Sequence, residues 1–503
     1  MRNRDNISDI PFLKILPLVI IGIVIGNWIR INNIILSCLS ALFLVASFLF
    51  RKRGVGSIFI SLSICLFAML ISSITRHKEI VPKGEKITCL TTIESTPYTH
   101  GRWQQCDARI TLFNPSASKE WHETNERIIL RVDTCINITA GDIMFAKTYL
   151  NPFSESTGSD YAKLMRRRGF SGSCFITADN NVQRLDSKAK NIRILSARIQ
   201  SFFIERFQRL SLSEKAEAVC MAMTFGNKQM LASEDKENYA HSGTAHILAV
   251  SGLHVGIIAM IVNWLLFFTP FIRRGHLLKN IMAIISILFF ALMTGMSPSV
   301  VRAAFMFCGF QIALATSSHY NKINILLATA TMMLLFNPNY LYDISFQLSF
   351  IAVTGIILLY QPLYRTIRCR FAIVNQLNGL ALVSIIATVV TAPIIAAQFG
   401  RLTIWGIVIN PIIMLTSTII ITLSFLYALL PLSFLTTPIS FILDNVATLQ
   451  NNLAEFCSNL SWGSWSVDLH AVSAIAIYLT AIAGLFVALK IKSNKTEKLN
   501  INQ

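Results

Sequence analysis

Charge is what this sequence is short of. Only 14% of its 503 residues are Asp, Glu, Lys or Arg, against about 25% in an ordinary soluble domain. Acids are the scarcer sign, 26 against 44 bases, for a formal net charge of +18. With 53% hydrophobic residues, such a chain is a polytopic membrane protein with an attached soluble portion. Other absences narrow the chemistry. No G-x-x-x-x-G-K-[ST] run occurs, so the chain has no recognisable ATP-driven motor of its own. No C-x-x-C and no H-E-x-x-H occurs, which removes the common zinc patterns. No His/Asp cluster suits a pair of hydrolytic metal ions. No metal and no cofactor is expected.

What the chain does have is a series of apolar runs. Those near residues 11–28, 33–50 and 57–75 approach the roughly 20 residues that cross a bilayer core. The first is not a cleaved leader, because two more follow directly and no small-residue cleavage site stands out. Arg51, Lys52 and Arg53 separate the second run from the third, and basic clusters collect on the cytoplasmic side. That places the N-terminus inside and residues 76–215 outside. A second series follows His246, with spans near 247–268, 280–295, 299–316, 323–336, 343–360, 377–397, 403–428, 434–456 and 470–490. Its basic loops at 273–279 and 364–370 and the tail at 493–503 then fall inside, so both termini are cytoplasmic. The runs near 280–295 and 323–336 are short and flanked by Gly or Pro, which suits broken or re-entrant helices.

Residues 76–190 read differently. Short alternating runs at 87–93, 108–112, 127–132, 143–149 and 170–177 are separated by Gly, Pro, Asn and Asp, the signature of a small all-β domain. Five strands with a short helix over 160–168 fit an OB-like barrel. Over 191–210, Ile192, Leu195, Ile199, Phe202, Phe203 and Phe207 recur at three-to-four spacing among arginines. That is an amphipathic helix, suited to a membrane surface or to linking domains. The fold class is a polytopic α-helical membrane protein of about twelve spans with an inserted small all-β, OB-like extracytoplasmic domain. The expected divisions are 1–75 for three spans, 76–190 for the β domain, 191–240 for linker helices, 241–492 for the multi-span domain and 493–503 for the basic tail.

Polar residues inside the apolar series are costly and are functional candidates by default. His246 to Gly256 places two histidines, Ser251, Gly252 and Gly256 at the mouth of a span. Ser251 and His254 share a helical face, but a catalytic serine and its base need an orienting partner, and no acid is near in sequence. Packing is the plainer role: Gly252 and Gly256 let helices approach while Ser251 bonds across. Farther on, Pro298 opens a helix with Ser297 as its cap. Arg302 then points into the membrane region, free to meet a phosphate or to pair with Asp343. Asp343 and Gln347 form a polar row one helical turn apart, suited to helix–helix hydrogen bonds or a wet path. Pro393 and Pro411 interrupt two later spans.

In the β domain Trp103, Arg109, Arg127, Arg131 and Arg166-Arg167-Arg168 mix basic and aromatic residues, the ingredients of single-strand nucleic-acid binding. Cys89, Cys106, Cys135 and Cys174 lie in the same polar segment. In an oxidising compartment they can form one or two disulfides.

Together these segments resemble the ComEC family of bacterial competence proteins. The resemblance is carried by His246–Gly256, by Gly295–Ala304, and by Asn337-Pro338 with Asp343–Phe350. Asn151-Pro152, Asp160-Tyr161, Gly169-Phe170 and Gly172 add to it in the β domain. It implies an inner-membrane channel that passes single-stranded DNA inward during natural transformation, with the OB-like domain receiving the strand outside. His246, Ser251, Gly252, His254, Gly256, Ser297, Arg302, Asp343 and Gln347 would line the passage. No residue of this chain would be catalytic. Family members often carry a C-terminal metallo-β-lactamase-like domain, the proposed nuclease, and this chain ends in a basic tail without one. The implied partners are single-stranded DNA, membrane lipids, a separate DNA receptor, a cytoplasmic ATPase motor and a nuclease, with scope for homo-oligomers. Phe153 stands where the family loop usually has Gly. The alternatives are a transporter of another polar or lipid-linked solute and an intramembrane serine hydrolase built on Ser251 and His254.

Overall fold

The structure is a computed structural model that describes residues 10–480 apart from short stretches, the longest at 76–80, 154–161, 270–274 and 316–320. The first three apolar runs fold as expected, as α1 (Phe12–Trp28), α2 (Asn33–Leu49) and α3 (Gly56–Thr75). A methyl added at Gly22 would collide with the Cys65 carbonyl, and one at Gly26 with the Met69 backbone. Small residues therefore let α1 lie directly on α3. Ser63 Oγ on α3 donates to the Ser40 carbonyl of α2 at 2.9 Å.

Period-two alternation builds the sheet. Its strands are β1 (Lys86–Ile93), β2 (Tyr98–His100), β3 (Trp103–Pro115), β4 (His122–Asp133), β5 (Asp142–Pro152), β6 (Phe170–Ile176) and β7 (Gln183–Lys188). Their order is β1-β3-β4-β6-β5-β7, and β5 also pairs with β1, so five strands close into a ring. All these pairings are antiparallel except β4–β6. Every second residue points inward. Ile87, Cys89, Cys106, Ala108, Ile128, Leu130, Val132, Met144, Ala146 and Cys174 fill one core. The inward hydroxyls of Thr91 and Thr148 are satisfied by the carbonyls of Met144 and Phe175.

The helices that follow are α4 (Ile192–Phe207), α5 (Glu214–Phe225), α6 (Ser233–His241), α7 (Gly252–Leu265), α8 (Gly275–Met293), α9 (Pro298–Ala315), α10 (Lys322–Phe336), α11 (Ile344–Ile367), α12 (Ala372–Phe399), α13 (Trp405–Leu429) and α14 (Thr436–Ser458). A short strand pair, β8 (Arg401–Thr403) and β9 (Ser464–Ser466), is antiparallel. By contact the chain forms two compact units. One holds Met1–Leu231, Ile247–Gln347 and Thr416–Thr448; the other holds Ala232–His246, Leu348–Leu415 and Leu449–Gln503. In the second unit, the fully buried Tyr239 donates to Asn451 Oδ1 at 2.8 Å and accepts from Gln450.

Several expectations are corrected. The runs near 280–295 and 323–336 are not broken: α8 and α10 are continuous. Pro393 and Pro411 do not interrupt their spans either, since α12 and α13 run through them, as long apolar helices tolerate. Residues 245–247 form a turn, and α7 starts only at Gly252. The run near 434–456 becomes α14, which carries Asp444, Gln450, Asn451 and Glu455 and is not among the helices apolar enough to cross. Among the described residues four helices have the length and composition to cross a membrane, α3, α11, α12 and α13, and six shorter helices are apolar. The span expected at 470–490 lies mostly, and the tail at 493–503 wholly, outside the described residues.

Closure of the ring depends on Gly172, where an added Cβ would strike the Asn151 carbonyl of β5. Gly172→Ala is expected to break the Pro152–Gly172 end of the β5–β6 pairing and to cost about 1–3 kcal/mol, the scale of overpacking. Faster limited proteolysis at the β domain, with the helical region unaffected, would register it.

Candidate functional site

Helix α4 is the strut on which the site is built. Toward the sheet, Thr96 Oγ1 donates to the Ala197 carbonyl, Arg198 Nε donates to the Ala140 carbonyl, and Arg193 pairs with Glu94. Toward the helices, Ser196 Oγ donates to the Leu292 carbonyl at 2.6 Å and Gln200 Nε2 donates to the Phe225 carbonyl at 2.7 Å. Both acceptors sit at helix C-termini, where carbonyls lack partners within the helix. Phe203 meets Phe289 edge-on at 5.8 Å. α4 thus joins the sheet to the helices, while its Ile192, Leu195 and Phe202 remain exposed.

After α8 the chain turns through Gly295 and Met296, with φ of 72° and 51°. A left-handed methionine is uncommon, and such backbone is retained where the surroundings enforce it. The turn aims the first residue of α9 into a cavity of about 320 Å³. The sheet contributes Glu94, Asp107, Arg127 and Arg168; α4 contributes Arg193 and Gln200; the helix ends contribute Ser297, Asn337, Tyr340 and Asp343. Three acids and three arginines face one space.

Glu94, only 3% exposed, organises the sheet side. Arg109, Arg127 and Arg193 all pair with it. Burial pushes its carboxyl up, but the Arg109 hydrogen bond and the three positive charges outweigh that and hold it below the usual carboxylate range. Arg127 also pairs with Asp107 at 3.1 Å and lies over the Phe170 ring at 4.4 Å.

The structure distributes the sequence candidates unevenly. Ser297 and Asp343 line the cavity, and Arg302 does not. Ser297 does not cap α9 through its side chain: its carbonyl accepts from Val301, and its buried Oγ has no hydrogen-bond partner among the described residues. Asp343 does not pair with Arg302. Its Oδ1 accepts from the Phe346 N–H instead, capping α11. Arg302 is 2% exposed, and its Nη2 donates to Ser345 Oγ at 2.8 Å and Ser299 Oγ at 3.3 Å. Gln347 Nε2 donates to the Leu341 carbonyl.

Ser251 and His254 do meet, but as a capping box. The Ser251 N–H donates to His254 Nδ1, and Ser251 Oγ, 2.9 Å from the same nitrogen, accepts from the Leu253 N–H. A Cβ on Gly252 or Gly256 would contact Ala303 or Phe307, so those glycines seat α7 against α9. None of these four residues, nor His246, which is exposed, lines the cavity.

In the β domain, Arg127 and Arg168 line the cavity, while Trp103, Arg109, Arg131 and Arg166 do not. Arg167 lies outside the described residues. The expected disulfides do not form: Cys89, Cys106, Cys135 and Cys174 are free thiols. Three of them are inward-facing core residues, and burial pushes the Cys89 thiol up to about 12. Cys135 is exposed, apart from that core. Among the described residues no three His, Cys, Asp or Glu groups come together to hold a metal. Sequence reasoning missed Glu94, Asp107, Arg193 and Tyr340. The one available signal was an acid, Glu94, placed directly after the alternating run of β1.

Glu94→Gln should destabilise the chain by about 1.5–3 kcal/mol, because half-buried Arg109, Arg127 and the more exposed Arg193 lose their shared carboxylate and the charged hydrogen bond goes with it. With the Glu94 pKa lowered by folding, its contribution is complete above the unfolded value of 4.5 and is lost as pH falls below it. Thermal unfolding at neutral and acid pH should show wild type losing that increment and the variant lacking it.

Residues 223–492 match the family described as Competence protein. The chain is 31% identical over 235 residues to an uncharacterized protein of Aquifex aeolicus (strain VF5), covering 46% of this chain and 51% of that one. It is 25% identical over 251 residues to ComE operon protein 3 of Bacillus subtilis (strain 168), covering 50% of this chain and 30% of that one. The chain thus matches about half of one relative's length and under a third of the other's. No solved structure matches. The family match spans more than half of the sequence and takes in α7, α9 and α11 with their motifs, so the chain belongs to the ComEC family of competence proteins.

Proposed function

We propose that this protein passes a single DNA strand across the bacterial inner membrane during transformation, taking it up at the cavity below the β domain. Family membership supports a role in DNA uptake. The observation that carries the finer reading is Arg302. It is almost wholly buried, its Nε and Nη1 have no hydrogen-bond partner, and no carboxylate lies within ion-pair distance among the described residues. Isolated buried charge costs several kcal/mol, a cost offset when an anion arrives. Its two serine contacts, Ser299 and Ser345, sit in the first turns of α9 and α11, whose N-termini also favour negative charge. Arg302 does not itself line the cavity, so in this reading a phosphodiester reaches it past Ser297 and Asp343.

The β domain supports a receiving role. Numbering only the ring strands, their order is 1-2-3-5-4 with strands 3 and 5 parallel, which favours an OB-like barrel, a fold whose surface binds oligonucleotides. Arg168 is exposed and forms no ion pair among the described residues, so it can meet a phosphate at the cavity rim. In this reading the β domain is extracytoplasmic, both termini are cytoplasmic, and the receptor, motor and nuclease are separate proteins.

Because Arg302 lacks an acid partner, Arg302→Met should leave thermal stability equal or higher. The same change should lower transformation roughly a hundredfold, the factor for losing a charged hydrogen bond of about 2.7 kcal/mol. Transformation frequency, scored beside the amount of protein in the membrane, measures this. Unchanged transformation removes Arg302 from the passage.

A further inference from the structure

The two outer faces of the barrel differ in whether their rings and cations are already in use. On β3, β4 and β6, Arg102 lies over Trp103 at 5.9 Å, Arg127 over Phe170 at 4.4 Å and Arg131 over Phe175 at 5.1 Å. Arg102 also pairs with Asp133, Arg109 with Glu94, Arg127 with Asp107, and Arg131 with Gln105. That face is engaged internally. On β5 the outward residues at successive alternate positions are Phe145, Lys147 and Tyr149, opposite Leu90, Thr88 and Lys86 of β1. Trp121, 47% exposed, lies 6.0 Å from the Phe145 ring, and Tyr149 is 50% exposed. Lys147 is exposed and has no ion-pair or hydrogen-bond partner among the described residues.

We propose that this β1–β5 face, and not the β3–β4 face, is the stacking platform for single-stranded nucleic acid. Bases lie on Trp121, Phe145 and Tyr149, and Lys147 meets the backbone. The proposal rests on the DNA reading above and assigns it a surface. Open rings interleaved with an unpaired cation are what a strand requires, since stacking tolerates any base and phosphate needs positive charge. The face also leads away from the helix ends. β5 starts beside α4, where Gly141 abuts Arg198, and Tyr149 lies about 23 Å farther along the strand at ~3.3 Å per residue.

The test uses the full chain in nanodiscs of phosphatidylethanolamine and phosphatidylglycerol, with a fluorescein-labelled oligothymidylate read by anisotropy. Wild type is expected to bind with affinity falling as salt rises. Trp121→Ala and Tyr149→Ala should each weaken binding roughly tenfold, as for one lost stacked base, while Trp121→Phe retains most of it. Lys147→Ala should lower the salt slope by about 0.7, one phosphate contact. Arg131→Ala on the opposite face should bind as wild type does. If wild type binds and both alanine variants match it, the platform is wrong while the DNA reading stands. If wild type shows no binding at low salt, both fall. Quenching of Trp121 emission by brominated lipid, read as the difference from Trp121→Phe, would place the face on the membrane and overturn the proposal.

Discussion

The buried carboxylate of Glu94 is the constraint on which the site depends. It ends β1, and three arginines from β3, β4 and α4 converge on it. A charge with 3% exposure is tolerable only with such partners, so the sheet and the strut are held in one arrangement. α4 carries that arrangement onward. Its serine and glutamine close the C-terminal carbonyls of α8 and α5, and the cavity is the space left between the strut, the barrel and the start of α9. Glu94 thereby positions Arg127 and Arg193 at one wall while Ser297 and Asp343 form the other.

Opposite charges are handled differently on the two sides of that space. On the sheet side Glu94, Asp107, Arg127 and Arg193 satisfy one another, and Arg168 is left at the rim. On the helix side, Arg302 bonds to two serine hydroxyls and, among the described residues, forms no ion pair, although the charge of Asp343 acts on it. An arriving anion would gain little from displacing the first set and much from meeting the second. The capping box and glycine contacts of α7 serve a different end, since Ser251 and His254 fix where α7 begins and Gly252 and Gly256 fix how closely α9 lies against it.

The parts legible in the sequence were those governed by local periodicity. Ile128, Leu130 and Val132 alternate, and they face one core; α1 to α3 follow unbroken apolar runs. What was not legible came from distant partners. Arg109 reads as a free surface cation until Glu94, 15 residues earlier, folds against it, and Arg193 is 99 residues from the same acid. Arg302 and Asp343 are spaced plausibly for an ion pair, but Asp343 is drawn to the α11 N–H groups and Ser345 takes its place. The run at 434–456 looked apolar in bulk; Asp444, which accepts from both the N–H and the hydroxyl of Ser213, gives α14 a polar attachment that an average conceals. Cys89, Cys106 and Cys174 alternate with the core, where burial raises their thiols, while exposed Cys135 lies apart from them.

The closed ring of strands has one more consequence. An open sheet offers rows of unpaired N–H and C=O groups that recruit any extended peptide. Here β1 pairs on both sides, with β3 and β5, and β4 does so with β3 and β6. Only β2 and β7 of this sheet pair on one side among the described strands, so the ring offers short edges to polypeptide backbones and meets a visitor mainly through side chains. On the reading proposed above, in which the domain receives a strand of arbitrary sequence, scarce edges would protect it from capture by unfolded proteins while its surface stays open to rings and phosphates.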